Sequence, residues 1–176
     1  PEAAAALEAL FAGAAEDGMT LYATSGYRSY STQKAIFERK LDRMSEKQAN
    51  LSVAKPGYSE HQTGLAMDIE GETTKGTGLT EAFGESPEGI WAAKHCAEYG
   101  FILRYPKQKT KITGISEEPW HYRYVGPLHA QIMNERDWVL EEYAEFLRTC
   151  SPSHPYLYFD GQQHWALWTQ SVSSTV

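Results

Sequence analysis

The sequence predicts an α+β fold: a small, mainly antiparallel central sheet flanked by helices and followed by a C-terminal β-hairpin. The chain has 176 residues, which is the usual length of a single domain. Short β-favouring segments are mixed with helical segments without the strict alternation of α/β folds. Two β-rich segments flank an Asp-Gly pair near the C-terminus, and that pattern is typical of a hairpin. We therefore expect one domain over residues 1–176.

The composition is that of a folded, acidic protein. Hydrophobic residues make up 41% of the chain and aromatic residues 12%, which is enough for a packed core and excludes intrinsic disorder. The 16 basic and 23 acidic side chains give a net charge of −7, so no nucleic-acid partner is expected. No apolar stretch approaches the roughly 18 residues that a membrane-spanning helix needs.

The first predicted elements are a helix and a strand. Residues 1–17 are rich in alanine, the strongest helix former, and Gly18 suits a left-handed cap at the helix end. Residues 20–24 carry Thr, Leu and Tyr side chains that favour a strand, and residues 25–27 turn the chain. The N-terminal helix is therefore expected to precede the first strand of the sheet.

A second helix and a second strand follow. Apolar residues recur at i, i+4 and i+7 and predict one amphipathic helix over residues 32–48. Residues 65–70 predict a strand on which Asp68 points to the face opposite its immediate neighbours. A loop with a Pro-Gly pair, residues 54–61, precedes this strand, and a Gly- and Thr-rich surface loop, residues 71–84, follows it.

The C-terminal half continues with helices and strands that are separated by Gly and Pro. The first of these helices begins at Pro87, since proline is favoured just inside a helix start, and ends before Gly100, since glycine is favoured just after a helix end. The predicted elements are a helix over residues 87–99, a strand over 101–105, a basic loop over 107–118, a strand over 120–125, a helix over 127–148 with a break near 134–137, and hairpin strands over 156–159 and 164–169.

Three residues are candidate metal ligands: His61, Asp68 and His121. Imidazole nitrogen and carboxylate oxygen suit zinc, and three protein ligands leave a fourth tetrahedral position open, as in catalytic sites. Gly64 allows a tight turn after His61, so the next strand can bring Asp68 back towards the same point. The residues favour one catalytic zinc ion.

Two charged residues complete the predicted chemistry. Glu118 precedes His121 by three positions. Because bound zinc lowers the pKa of its water to about 7, a neighbouring carboxylate can act as general base and then protonate the leaving amine. Arg28 lies on a turn, where its guanidinium can hold a carboxylate or stabilise the oxyanion that forms when a carbonyl is attacked. Taken singly, each of these residues also has a structural interpretation as a hydrogen-bonded or ion-paired group.

The remaining polar and aromatic residues have simpler interpretations. Trp120 is expected in the core, with a place in the pocket wall as its alternative. Cys96 and Cys150 are expected as isolated buried thiols, with a disulfide as the alternative. The other histidines are interpreted as surface or structural groups: His95, His129, His154 and His164. The other tryptophans are expected to pack in the core: Trp91, Trp138, Trp165 and Trp168. A solvated basic edge is expected at Lys107, Lys109 and Lys111, with contact to an anionic polymer as the alternative.

Three segments together resemble a known family. They read SGYRSYSTQ at residues 25–33, SEHQTGLAMDI at 59–69 and EPWHYRYVG at 118–126. They resemble the VanY-type D-alanyl-D-alanine carboxypeptidases, within the zinc peptidases that include D-Ala-D-Ala dipeptidases, L,D-carboxypeptidases and the hedgehog signalling domain. The resemblance covers about residues 20–170.

The resemblance implies a role for each matching residue. It implies zinc ligands at His61, Asp68 and His121, with Glu118 as the catalytic base. It implies that Arg28 is the cation near the scissile carbonyl and contributes to substrate binding. Gln33 and Ser59 match family positions that help to hold the terminal carboxylate of the substrate. Trp120, next to His121 in the sequence, is a further candidate for substrate contact as part of the pocket wall.

The expected function is a zinc D,D-carboxypeptidase that cleaves the terminal D-Ala-D-Ala bond of peptidoglycan stem peptides or precursors with a zinc-bound water. An L,D-carboxypeptidase acting on tetrapeptide stems stays an alternative. A hedgehog-like zinc-binding module is disfavoured, because Glu118 and Arg28 are both present. The chain begins at Pro1, so we expect a fragment or processed form. The resemblance implies a location in the bacterial cell envelope, either extracytoplasmic or membrane-anchored through a segment outside this chain, with a cytoplasmic location as the alternative.

Overall fold

The structure is a computed structural model that describes residues 2–170. Its elements, in chain order, are α1 (Glu2–Glu16), β1 (Leu21–Ser25), α2 (Tyr30–Leu41), α3 (Glu46–Ser52), β2 (Ala66–Gly71), α4 (Ala82–Glu85), α5 (Pro87–His95), β3 (Phe101–Tyr105), α6 (Thr110–Thr113), β4 (Glu118–Tyr124), α7 (Pro127–Arg136), α8 (Leu140–Arg148), β5 (Tyr156–Phe159) and β6 (His164–Leu167). Single 3₁₀ turns lie at Glu60–Thr63, Glu72–Thr74, Cys96–Tyr99 and Lys107–Lys109.

The strands form an antiparallel sheet and a separate hairpin. The sheet has the order β1-β2-β4-β3, and each neighbouring pair is antiparallel. Strands β5 and β6 pair with each other, and Tyr158 lies opposite Trp165. The α+β class, the antiparallel sheet and the C-terminal hairpin are therefore confirmed.

Two hydrophobic clusters hold the elements together. The first packs α1, α4 and α5 on one face of the sheet, where Leu10, Ile69 and Tyr122 are completely buried. The second joins α7, α8 and the hairpin, with Ile132 and Met133 at its centre. Burying a side chain of this size contributes about 1.5–3 kcal/mol to the free energy of unfolding. These contacts therefore stabilise the sheet whose strands carry Asp68 and His121.

The predicted helix over residues 32–48 is wrong in one respect, because the chain forms two helices there. Helix α2 ends at Leu41, and α3 begins after Ser45. The Ser45 hydroxyl accepts a hydrogen bond from the Gln48 amide, and the Gln48 side chain accepts one from the Ser45 amide. This capping box starts a new helix, and Leu41 remains 41% exposed.

The other boundaries agree with the predictions within a few residues except in two loops. The predicted surface loop over residues 71–84 is wrong in part, because it contains the 3₁₀ turn Glu72–Thr74 and the start of helix α4, whose Phe83 is buried in the first core cluster. Gly100 ends the third predicted helix in the left-handed conformation, after a 3₁₀ turn. The break in the predicted helix over residues 127–148 is confirmed at Asp137, which has a φ of 51° and separates α7 from α8. The segment predicted as a basic loop instead contains the turn Lys107–Lys109 and helix α6. Lys109 is not fully solvated there, because its Nζ atom lies 3.0 Å from Glu142.

The core predictions are mostly confirmed. Both cysteines are buried free thiols. Trp91, Trp138 and Trp165 pack in the two clusters, but the prediction is wrong for Trp168, which is 46% exposed. Among the described residues, no helix combines the length and the apolar character needed to cross a bilayer.

Candidate metal centre and active site

Asp68 and His121 face each other across the two central strands. They are direct partners in the register of β2 and β4, which places their side chains close together on one sheet face. The Asp68 Oδ1 atom lies 3.0 Å from His121 Nδ1, and the exposed fractions of the two side chains are 4% and 5%. The sheet backbone therefore sets the separation of these two groups.

His61 reaches the same place from a 3₁₀ turn. The turn Glu60–Thr63 ends at Gly64, whose φ of 71° is left-handed and favours glycine. The His61 Nδ1 atom lies 2.7 Å from the carbonyl oxygen of Gly26. Because a carbonyl can only accept, Nδ1 is the donor in this hydrogen bond, and Nε2 is the ring nitrogen that points towards Asp68. That Nε2 atom lies 3.3 Å from Asp68 Oδ2.

The three predicted ligands form one buried group that can bind a metal ion. One donor atom from each of His61, Asp68 and His121 lies within 4.8 Å of the others. Two nitrogens and one carboxylate oxygen are a donor set that zinc accepts, with a fourth position left for a water molecule or substrate. Burial alone would lower the pKa of His121, but Asp68 and Glu60 raise it to about 9.

Glu118 lies at the edge of this group. Its Oε2 atom is 3.7 Å from His121 Nδ1, and its side chain is 17% exposed. Burial raises the pKa of Glu118 to about 7, an effect that the nearby charge of Asp68 strengthens and that His121 and Arg28 oppose. A carboxyl group with this pKa can both accept and donate a proton near neutral pH.

Arg28 lies beside the metal group and is held by three side chains. Its Nη2 atom is 3.5 Å from Asp68 Oδ2 and donates to Ser25 Oγ at 3.0 Å. Its Nη1 atom donates to Gln33 Oε1 at 2.9 Å. The guanidinium, 15% exposed, therefore already has an anionic neighbour in Asp68.

The remaining candidate residues line the same cavity, whose volume is about 240 Å³. Gln33 is completely buried, and its Nε2 atom donates to the carbonyl oxygen of Ala54 at 2.6 Å. Ser59 is 7% exposed. Trp120 is partly buried: it lines the cavity and packs against the edge of the first core cluster without belonging to the buried core.

Sequence reasoning missed Glu60, which lies behind His121. Its Oε2 atom is 3.6 Å from His121 Nε2, and Arg104 Nε donates to its Oε1 at 2.8 Å. Burial would raise the pKa of Glu60, but His121 and the two arginines Arg104 and Arg123 lower it to about 2. Its position next to His61 in the sequence was a usable signal, whereas the arginines are distant along the chain.

The other histidines lie outside the metal group. His95 stacks on Trp91, and His129 Nδ1 lies 2.7 Å from the Tyr143 hydroxyl. His154 and His164 are exposed. These positions agree with the surface or structural roles expected for them.

Comparison with known proteins identifies the family of this chain. Residues 1–127 match the VanY family model, described as D-alanyl-D-alanine carboxypeptidase. The chain is 49% identical over 144 residues to the Bacillus subtilis protein named "Putative carboxypeptidase YodJ", a match that covers 82% of this chain and 52% of that protein. The chain thus spans about half the length of this curated relative.

Two solved structures resemble the fold. The LdcB LD-carboxypeptidase is 49% identical with a TM-score of 0.77, over 82% of this chain and 67% of that one. A VanY D,D-pentapeptidase mutant in complex with Zn(II), from a VanB-type resistance cassette, is 38% identical with a TM-score of 0.68, over 81% of each chain. With its family match and its buried His-Asp-His group, this chain belongs to the VanY family of D-alanyl-D-alanine carboxypeptidases.

Proposed function

We propose that this protein is a zinc-dependent D,D-carboxypeptidase that releases the terminal D-alanine from peptidoglycan stem peptides or precursors. The observation that carries this proposal is the position of Glu118 beside the His61, Asp68 and His121 group, in a cavity that also holds Arg28. This arrangement provides a metal site, a proton carrier and a cation within one small pocket.

His61, Asp68 and His121 would hold one zinc ion. Their buried donor atoms suit this ion, and a related VanY protein was solved in complex with Zn(II). When bound, zinc would act as a Lewis acid that polarises the scissile carbonyl and acidifies a water molecule. Desolvation of the group strengthens such electrostatic effects.

Glu118 would carry the proton through the reaction. As the carboxylate it accepts a proton from the attacking water, and as the acid it donates that proton to the amine of the leaving D-alanine. Its pKa of about 7 is close to the pH at which such a group works best. A purely zinc-binding module would have no need of a proton carrier beside the metal group, which argues against that interpretation.

Arg28 would recognise the substrate at the cleaved end. Its guanidinium is oriented by Gln33 and Ser25, so it can meet the C-terminal carboxylate or the oxyanion with little loss of conformational freedom. Ser59 and Trp120 would line the space for the departing D-alanine. A requirement for a free C-terminal carboxylate would make the protein an exopeptidase.

An L,D-carboxypeptidase is the second candidate function. It is favoured by the 49% identity to the LdcB LD-carboxypeptidase, which exceeds the 38% identity to the VanY D,D-pentapeptidase. The two activities differ in the stereochemistry of the residue that precedes the released D-alanine. Either activity would place the protein at peptidoglycan in the bacterial cell envelope.

The test is D-alanine release from defined stem peptides. The zinc-loaded protein is incubated with a pentapeptide ending in D-Ala-D-Ala and with the matching tetrapeptide, and the Glu118→Gln variant serves as the control. Faster release from the pentapeptide supports the D,D assignment, and faster release from the tetrapeptide supports the second candidate. Tight zinc binding without release from either peptide would contradict both enzymatic functions.

A further inference from the structure

Two buried polar atoms face each other on the side of His121 that points away from Asp68. They are His121 Nε2 and Glu60 Oε2, which lie 3.6 Å apart. Neither atom has a hydrogen-bond partner among residues 2–170. An unpaired buried donor or acceptor costs about 1–3 kcal/mol. A movement of a few tenths of an ångström would satisfy both atoms with one hydrogen bond.

Two arginines hold Glu60 in the orientation that makes this possible. Arg104 Nε lies 2.8 Å from Glu60 Oε1, and Arg123 Nη1 lies 3.4 Å from the same oxygen. Both cations therefore engage Oε1 and leave Oε2 directed at His121. The Arg104 and Glu60 side chains are 8% and 14% exposed, so solvent screens these contacts only weakly.

Arg104 is itself anchored on its outer side by helix α8. Its Nη1 atom donates to Glu141 Oε2 at 2.9 Å, and its Nη2 atom donates to Glu141 Oε1 at 2.5 Å. This bidentate pairing fixes the plane of the guanidinium. A continuous chain of contacts thus runs from α8 through β3 and the turn before β2 to His121 on β4.

The contact with Glu60 selects the nitrogen of His121 that is available to a metal. An imidazole that donates Nε2–H to a carboxylate presents the lone pair of Nδ1. That Nδ1 atom is the one that faces Asp68 Oδ1 at 3.0 Å. The ring of Tyr105 lies against His121, with 4.9 Å between ring centroids, and limits rotation of the imidazole.

We propose that Glu60 is a positioning residue that orients His121 for metal binding through Nδ1, with Arg104 and Arg123 holding Glu60 in place. This inference deepens the proposed function, because it rests on the zinc site of that function. Hydrogen bonds from a metal-bound histidine to a carboxylate typically raise metal affinity 10- to 100-fold. A different role for Glu60, charge neutralisation of the two arginines, would affect folding without a specific effect on metal binding.

The test compares Glu→Met substitutions of the two glutamates that pair with Arg104. Glu60→Met removes the carboxylate that faces both His121 and Arg104, whereas Glu141→Met removes the one that faces Arg104 only. Zinc dissociation constants are measured by competition with a chromogenic chelator. We expect about 10- to 100-fold weaker zinc binding for Glu60→Met and a clearly smaller loss for Glu141→Met, which leaves Glu60 itself beside His121 and Arg123. Glu60→Gln, which keeps a neutral acceptor, should recover part of the loss.

A second readout reports on His121 directly. Long-range ¹H–¹⁵N spectra of the zinc-loaded wild type should show His121 protonated at Nε2 and bound through Nδ1, and the Glu60→Met variant should lose this signature. If Glu60→Met does not fold, the Glu60→Met/Arg104→Met pair removes the opposite charges together and should show the same zinc loss. Equal zinc affinities for wild type and the folded Glu60 variant would overturn the proposal.

These measurements separate the positioning role from the peptidase activity. A wild-type protein that binds zinc tightly but releases no D-alanine would contradict the proposed function, while the affinity difference between the Glu60 and Glu141 variants would still support the role of Glu60. The opposite result is also possible: the wild type releases D-alanine, while Glu60→Met lowers the stability of the metal-free protein and leaves the zinc affinity unchanged. That result would contradict the positioning role alone.

Discussion

The Glu118 Oε2 atom lies 3.7 Å from His121 Nδ1, although the two residues are three positions apart on strand β4. Regular alternation would place them on opposite faces of the sheet. The pairing of β3 with β4 is irregular at this point, since Leu103 lies opposite Tyr122 but Tyr105 lies opposite Glu118. Irregular pairing of this kind redirects side chains next to functional sites, and here it turns Glu118 towards the cavity.

His121→Ala should lose tight zinc binding, because two ligands hold zinc much less firmly than three. Removing the metal from the wild type with a chelator should also lower the melting temperature, since zinc bound only by the folded state stabilises it. Metal analysis and thermal unfolding measure the two effects. His95→Ala, which alters a histidine stacked on Trp91, is the matched control and should retain zinc. Full zinc content in His121→Ala would refute the ligand assignment.

Glu118→Gln should keep zinc and lose most turnover. A general base typically contributes 10²- to 10⁴-fold, and this carboxylate is expected to serve both proton transfers. The measurement is kcat for D-alanine release together with the zinc content of the same sample. Glu117→Gln changes the adjacent residue, which pairs with Lys107, and should retain activity. Loss of zinc in Glu118→Gln would instead identify Glu118 as a ligand.

Zinc binding should depend on pH through His121. Its pKa of about 9 means that the imidazole carries an extra proton at neutral pH, and this proton must leave when the ring binds a metal. Zinc affinity should therefore rise about tenfold per pH unit between pH 6 and pH 8 and level off above pH 9. Calorimetry in buffers with different ionisation enthalpies should show release of about one proton per zinc bound. Affinity that does not change with pH would rule out this protonated histidine.

Amidating the C-terminus of the substrate should lower kcat/KM by at least about 100-fold, which corresponds to roughly 3 kcal/mol. The amide replaces the substrate carboxylate that would pair with Arg28 by a neutral group, so a charge-assisted hydrogen bond in a partly desolvated site is lost. Arg28→Met should remove this preference for the free acid, whereas Arg39→Met, on the exposed surface of α2, should preserve it. Comparable rates on both wild-type substrates would indicate endopeptidase action.

The two thiols should be unreactive in the folded protein. Burial raises the pKa of Cys96 to about 12, so almost no nucleophilic thiolate is present at pH 8. Cys150 is buried as well. An Ellman titration should find slow reaction in buffer and two thiols per chain in denaturant. No thiol in denaturant would demonstrate a disulfide between Cys96 and Cys150.

The sequence could predict most of the element order because the signals are local. Gly100 and Pro127 mark boundaries that the structure reproduces. The break between α2 and α3 is also encoded locally, in the capping box of Ser45 and Gln48. The apolar residues keep their helical spacing across this break, and for that reason the pattern predicted one continuous helix. The partial burial of Lys109 could not be predicted, since its partner Glu142 lies 33 residues further along the chain.

The sequence alone was enough to nominate His61, Asp68 and His121 as candidate metal ligands, because ligand chemistry depends on residue type and on motifs a few residues long. That their donor atoms come within 4.8 Å of one another follows from the folded arrangement of three distant segments. The same holds for Glu60, which the fold places next to His121 Nε2 and in contact with Arg104 and Arg123. Strand register and the packing of distant segments fix such distances, and both depend on the whole core rather than on any single motif.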